Sequence, residues 1–236
     1  MKDNITPEED TSPLSAAGTT AASPFRYVFS EGFASLLVQL GILLLLTTYQ
    51  AGKLMDVRAR AGKVSTLLRT FERPMGLALD GDQVALGARN AIWFLRNAAD
   101  IAPQLDPPNT HDACFVPRQC HITGDISSHE LGWGQIDQGE LAGSTTNSSR
   151  ELWVVNTRFS CLCTLHPDYS FVPRWRPRFV TELVAEDRCH LNGLAMVEGK
   201  PKYVTALGPT NEPRGWKPDK ANGGIVIDVP SNEIVA

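Results

Sequence analysis

One sequence unit occurs twice in this chain, and this repetition limits the possible folds more than any other feature. Residues 73–88 read RPMGLALDGDQVALGA, and residues 190–208 read HLNGLAMVEGKPKYVTALG. Both run from a polar residue through Gly-Leu-Ala to an acid-and-glycine turn, and then to an alternating apolar strand. Repetition of one small unit is typical of folds that stack the same supersecondary element several times.

A weaker copy lies between the two. Residues 128–134 read SHELGWG and are followed by ELWVVNTRFSCLCTL at 151–165, with Gly132 as the counterpart of Gly76 and Gly193. The spacing of roughly 60 residues suits one sheet of about four strands per repeat. The middle copy is longer because residues 134–150, rich in Gly, Ser, Thr and Asn, form a predicted loop.

Short alternating strands predominate along the rest of the chain. Paired strands are predicted within residues 83–95, 151–165 and 221–236. The single predicted helix covers residues 31–40, with a break at Gly41 and a buried strand over 42–48. The pattern therefore predicts an all-β chain, a β-propeller of four-stranded blades with a short N-terminal helix. A β-sandwich with an insertion is the alternative.

Charge and composition narrow the partners and the compartment. The net charge of −4 is opposite to what phosphate binding requires, so no nucleic acid is expected. The most apolar run, residues 33–46, is shorter than the roughly 20 residues that span a bilayer, and no signal peptide precedes it. We expect a cytoplasmic protein with a flexible tail over residues 1–24 and one domain over 25–236. The five cysteines form no CxxC pair, and we expect them to be reduced and largely buried.

Several motifs in one order resemble a known family: LLTTYQAGKL (45–54), RPMGLALDGD (73–82), TGDISSHELGWG (123–134), ELWVVNTRFSCL (151–162) and EDRCHLNGLA (186–195). The family comprises bacterial conserved hypothetical proteins and is filed as a domain of unknown function with a propeller-like fold. The resemblance implies the fold but no activity. Members typically continue into further blades, which implies an incomplete propeller here, with exposed blade edges that favour self-association. Ser127 stands where members carry an acid.

Polar side chains precede the repeated strands. In a propeller the innermost strand of each blade begins at the central channel, so these side chains should converge at one mouth of the channel. The candidate ligand-binding residues are Arg73, His111, Asp112, Asp125, His129, Glu130, Arg158, Arg188, His190 and Asn192. Residues around turns form a secondary set, namely Tyr49, Gln50, Lys53 and Lys220.

Two functions fit this arrangement. The first is a scaffold that binds a small molecule, a peptide or a protein partner across the channel face. The alternative is a metal-assisted hydrolase acting on a lactone or ester, with a divalent ion such as calcium or zinc. Its ligands would be Asp125, His129, Glu130, His190 and Asn192. The chain contains no GxSxG, P-loop or GxGxxG motif, so common hydrolase and nucleotide-binding sites are not predicted.

Overall fold

The chain forms four antiparallel sheets, each built from strands that follow one another in sequence. The structure is a computed structural model, and it describes residues 28–60, 62–136 and 150–236. We number the sheets as blades I to IV in chain order. The predicted tail and most of the predicted loop between residues 134 and 150 lie outside the described residues.

Helix α1 spans Phe33–Leu40 and precedes blade I. Blade I contains β1 (Leu44–Thr48), β2 (Lys53–Arg60) and β3 (Lys63–Thr70). Blade II contains β4 (Leu77–Asp80), β5 (Gln83–Gly87), β6 (Ala91–Asn97) and β7 (Phe115–Ile122). Blade III contains β8 (Ser128–Gln135), β9 (Arg150–Asn156), β10 (Cys161–His166) and β11 (Tyr169–Trp175). Blade IV contains β12 (Leu191–Val197), β13 (Lys200–Ala206), β14 (Ile225–Asp228) and β15 (Glu233–Ile234).

This succession of meandering sheets is a β-propeller, as the repeat predicted, and not a sandwich. The first strand of blades II, III and IV is the inner one, because β8 packs against both β4 and β12. The predicted helix is also confirmed. It ends at Gly41, which adopts the left-handed conformation (φ 63°) that closes many helices. Among the helices that the described residues form, none is long and apolar enough to cross a membrane.

Consecutive blades share hydrophobic cores. The core between blades II and III contains Ile92, Val154, Cys161 and Cys163, each completely or almost completely buried. The two cysteines occupy the same core, as their alternation along a strand predicts. Similar cores join blades I to II and III to IV. Burial between sheets, rather than within any single sheet, therefore holds the blades together.

The inner strands approach one another closely at two glycines. A Cβ atom placed on Gly76 would lie 3.0 Å from the backbone of Glu130, on the inner strand of the next blade. A Cβ atom on Gly132 would lie 2.7 Å from Cγ of Met196 in blade IV. This crowding accounts for Gly76 and Gly132, whereas a Cβ atom on Gly193 would instead lie 3.0 Å from Oγ1 of Thr205, in the second strand of its own blade.

Adjacent blades also meet at one end, where the second strand of one blade ends beside the start of the next inner strand. The Thr157 hydroxyl, which follows the second strand of blade III, donates a hydrogen bond to the Leu191 carbonyl at the start of β12. Gly87, at the end of the second strand of blade II, lies against Ser128 at the start of β8. The contact therefore recurs between the end of one blade's second strand and the start of the next inner strand.

Candidate functional site

The end of the molecule at which β4, β8 and β12 begin carries most of the predicted site residues. We call this end the mouth. It is built from the connections between blades and from the turns between the second and third strands. These segments are joined by backbone hydrogen bonds: the Arg158 amide donates to the Ile126 carbonyl, and the Asp187 amide donates to the Arg158 carbonyl. The mouth is therefore a continuous surface across blades II to IV.

A left-handed residue and a bulge begin the inner strands of blades III and IV. Ser127 (φ 50°) and His190 (φ 53°) directly precede β8 and β12. Two residues of β8, His129 and Glu130, then stand opposite one residue of β9, and Asn192 and Gly193 do the same in β12. Such a bulge redirects side chains at the edge of a sheet.

This register corrects one detail of the predicted repeat. The counterpart of Gly193 in blade III is Glu130, because both occupy the second position of the bulge. Gly132, which the sequence comparison paired with it, lies two residues further along β8 and is small for a separate reason, its contact with Met196.

The two bulges bring three predicted site residues together across the boundary between blades III and IV. His129 Nδ1 lies 3.3 Å from Oδ1 of Asn192. The rings of His129 and His190 meet edge to face, with centroids 4.8 Å apart. His190 Nδ1 lies 2.9 Å from Oδ2 of Asp187, and the His190 ring packs 4.4 Å from that of Trp216. A carboxylate that holds one imidazole nitrogen fixes the orientation of the ring.

Burial changes the proton affinity of His129 and of its neighbour in the chain, Glu130. It lowers the pKa of His129 below its usual value, and the neighbouring His190 ring lowers it further. Burial also raises the pKa of the Glu130 carboxyl, whose Oε1 accepts a hydrogen bond from the Leu131 amide. The neutral form of His129 is therefore favoured, which leaves it able to accept a hydrogen bond.

Asp125 belongs to a chain of ion pairs rather than to the histidine cluster. Its Oδ2 lies 3.3 Å from Nη1 of Arg158 and 3.6 Å from Nε of Arg89. Arg89 in turn pairs with Glu72 at 2.9 Å. This chain connects the mouth regions of blades II and III.

A polar cavity of about 410 Å³ opens beside these groups. It lies between the Arg158 turn of blade III and the loop that precedes β14 in blade IV. Its lining residues are Ser127, Arg158, Ala185, Glu186, Asp187, Pro213 and Arg214. The volume falls within the range of about 300–1,000 Å³ that small-molecule sites occupy.

Arg188, a predicted ligand-binding residue, makes its hydrogen bonds and ion pairs within the protein. Its side chain is only 10 % exposed. The guanidinium donates to the carboxylates of Glu186 and Glu182, each at 2.9 Å, and to Oδ1 of Asn211 at 3.0 Å. Because its donors are used inside the protein, Arg188 supports the loop walls and offers little to a ligand.

The secondary candidates also lie on the mouth side. The Arg73 guanidinium stacks over the Tyr49 ring, 5.7 Å from its centroid. Lys53 Nζ donates to the Thr70 hydroxyl at 2.6 Å. Gln50 and Lys220 are exposed in turns and lie apart from the cavity lining.

His111 and Asp112 are not brought to the mouth. They lie in the connection between β6 and β7, which is at the opposite end of blade II from the start of β4. His111 Nδ1 instead contacts Arg58 Nη1 of blade I at 3.2 Å. We predicted a position at the mouth from the chemical type of these two residues alone. They precede an outer strand, however, and not an inner one.

The predicted metal ligands are only partly assembled. His129, His190 and Asn192 form one cluster, whereas Asp125 is paired with arginines and Glu130 accepts a hydrogen bond from its own strand. Over residues 28–60, 62–136 and 150–236, no group of three or more His, Cys, Asp or Glu side chains is spaced to hold a metal ion.

Most residues that line the cavity were not predicted, and three unpredicted residues matter most to the site, namely Asp187, Arg214 and Trp216. Asp187 had a signal, because an acid three residues before a histidine at a tight turn can hold its ring. Arg214 and Trp216 had none, since they lie in a long irregular loop whose path depends on tertiary packing.

Comparison with known proteins identifies a family and gives no activity. A family described as Domain of unknown function (DUF4915) matches residues 31–236. Among curated proteins, none matches the sequence.

Proposed function

Because the chain belongs to this family, whose description gives no activity, we propose a function from the geometry of the mouth. The domain is a binding scaffold, and its ligand is a small molecule that carries a carboxylate. The ligand occupies the polar cavity between blades III and IV.

Arg214 is the observation that carries this proposal. It lines the cavity, it is exposed, and its side chain has no hydrogen bond or ion pair within the described part of the chain. Its backbone is left-handed (φ 52°), a conformation that costs a residue with a side chain about 1 kcal/mol or more. Arginine offers a planar pair of donors that matches a carboxylate.

The other charges of the lining are already partnered. Arg158 pairs with Asp125 and Glu186 with Arg188, and Oδ2 of Asp187 lies within hydrogen-bond distance of His190 Nδ1, at 2.9 Å. The unpartnered charge in the cavity is therefore positive, which favours an anionic ligand. Asp187 also connects the cavity to the packed rings of His190 and Trp216, because its carbonyl accepts a hydrogen bond from Trp216 Nε1 at 3.0 Å.

A paired ligand screen tests the proposal. Small carboxylates, each matched with its primary amide, are added to the purified chain, and hits in thermal unfolding are measured by titration calorimetry. We expect at least one carboxylate to bind while its amide does not. Arg214→Gln should weaken that binding about tenfold or more, since a charge-assisted bidentate contact is lost.

Arg118→Gln is the matched control, because Arg118 is an exposed arginine of β7 outside the cavity lining. It should leave the affinity unchanged. Binding that is equally strong with Arg214→Gln, or equal for acid and amide, would contradict the carboxylate site.

The metal-assisted hydrolase stays a second proposal, supported by the contact of His129, His190 and Asn192. Elemental analysis of the folded protein tests it. One equivalent of a divalent ion, lost in a His190→Ala and Asn192→Ala double variant, would support it and justify a screen of lactones and esters. Protein that takes up no calcium, zinc or manganese would exclude the metal site.

A further inference from the structure

Blade I differs from the other three blades in its strand count. In blades II to IV the second strand has a hydrogen-bonded neighbour on each side, whereas β1 pairs only with β2. Within the described ranges no strand pairs with the other edge of β1. A row of backbone N–H and C=O groups on a sheet edge is a template for pairing with another strand.

β1 corresponds to the second strand of a blade and not to the inner strand. The Thr47 hydroxyl, near the end of β1, donates to the Met75 carbonyl just before β4, at 2.6 Å. Thr157, directly after the second strand of blade III, makes a similar hydroxyl-to-carbonyl contact with Leu191 at the start of the next inner strand. The end of β1 therefore lies where a second strand ends, and its free edge faces the position of an inner strand.

The sequence of β1 lacks the residue types that usually protect a sheet edge. The sequence of β1 is LLLTT, without proline, lysine or any other charge. Leu46 of this strand is 43 % exposed and Ile42, just before it, is 45 % exposed. Strand-forming residues with apolar groups beside an open edge favour β-augmentation.

We propose that the free edge of β1 binds an extended polypeptide segment, which pairs antiparallel with β1 and completes blade I as its inner strand. The inner strands of the protein show the chemistry of the segment. Blades II and IV both have Gly-Leu-Ala at this position. A Cβ on Gly76 would lie 3.0 Å from the backbone of the next inner strand, and a Cβ on Gly193 would lie 3.0 Å from Oγ1 of Thr205, on the second strand with which its own strand pairs. The partner is therefore a segment with a small residue on each side of a leucine.

A labelled peptide tests this directly. The peptide HLNGLAMVEG, the sequence of residues 190–199, carries a fluorophore and is titrated with the full chain while anisotropy is followed. We expect saturable binding, and no binding of a scrambled peptide of the same composition. Hydrogen exchange should show new protection of Leu44–Thr48 when the peptide is present.

Two N-methylated peptides establish that the contact is strand pairing. Amides of a strand point alternately to its two edges, so one alternate set faces β1 and the other faces away. Methylation of one set should weaken binding more than tenfold, equivalent to about 1.4 kcal/mol, while methylation of the other set should not. Equal effects of both sets, protection elsewhere than β1, or no saturable binding would overturn the proposal.

Discussion

Replacing Gly76 by alanine tests the crowding of the inner strands. The new Cβ would lie 2.9 Å from Leu131 Cγ and 3.0 Å from two backbone atoms of Glu130. Contacts below about 3.0 Å require movement, and backbone of a paired strand cannot move without disturbing its own sheet. Overpacking of this kind costs about 1–3 kcal/mol, so the free energy of unfolding should fall by roughly 2 kcal/mol.

Gly132→Ala is the matched control. Its Cβ would meet Cγ and Sδ of Met196, at 2.7 and 3.1 Å. Methionine has three rotatable bonds and can yield by changing rotamer, so the loss should stay below about 1 kcal/mol. The two glycines differ in what they touch and not in their own backbone conformation, since neither has positive φ.

Urea unfolding followed by tryptophan fluorescence measures both losses. For a chain of this size, 1 kcal/mol corresponds to about 2–4 °C in Tm, so Gly76→Ala should lower Tm by roughly 4–8 °C. The reasoning fails if Gly76→Ala lies within about 0.5 kcal/mol of the native chain, or if Gly132→Ala is the more damaging change.

Two further predictions concern the boundary between blades III and IV. Thr157→Val removes the hydroxyl that donates to the Leu191 carbonyl and leaves that acceptor buried, so the free energy of unfolding should fall by about 1–3 kcal/mol. Thr157→Ser keeps the hydroxyl and should retain most of the stability. Equal losses in the two variants would contradict the role of the hydrogen bond. The pKa of His129 is lowered in the folded state, so the unfolded chain takes up the proton first, and stability should be complete above about pH 6.5 and fall as the pH decreases below it. His129→Gln should flatten that dependence in urea midpoints measured between about pH 7.5 and 5.5, and an unchanged slope would assign the titration to another group.

The architecture was predicted well because the repeat contains glycines at positions where the backbone leaves little room for a side chain. Gly76 and Gly193 mark inner strands whatever the rest of the blade contains, and Gly41 marks the end of the helix. The middle repeat was misaligned because Glu130 occupies a bulge position that a glycine holds elsewhere, and a bulge changes the count without changing the pattern of apolar residues.

The site was predicted only in part. His129, His190 and Asn192 were found because they directly precede inner strands, and topology alone carries such residues to one end. Arg188 could not be separated from them by sequence, because whether its donors are used inside the protein depends on Glu182 and Asn211, which lie elsewhere along the chain. His111 contacts Arg58 through the packing of blade I on blade II, which no local pattern records.

The left-handed residues ahead of the inner strands have a consequence for how this surface can diversify. Arg73, Ser127 and His190 share one backbone conformation, yet they differ in charge, size and chemistry. The main chain fixes the direction of the turn, and the side chains at these positions do not belong to the hydrophobic cores between the blades. Exchange at these positions can therefore change the charge and size of the groups at the mouth while the backbone beneath them keeps its conformation.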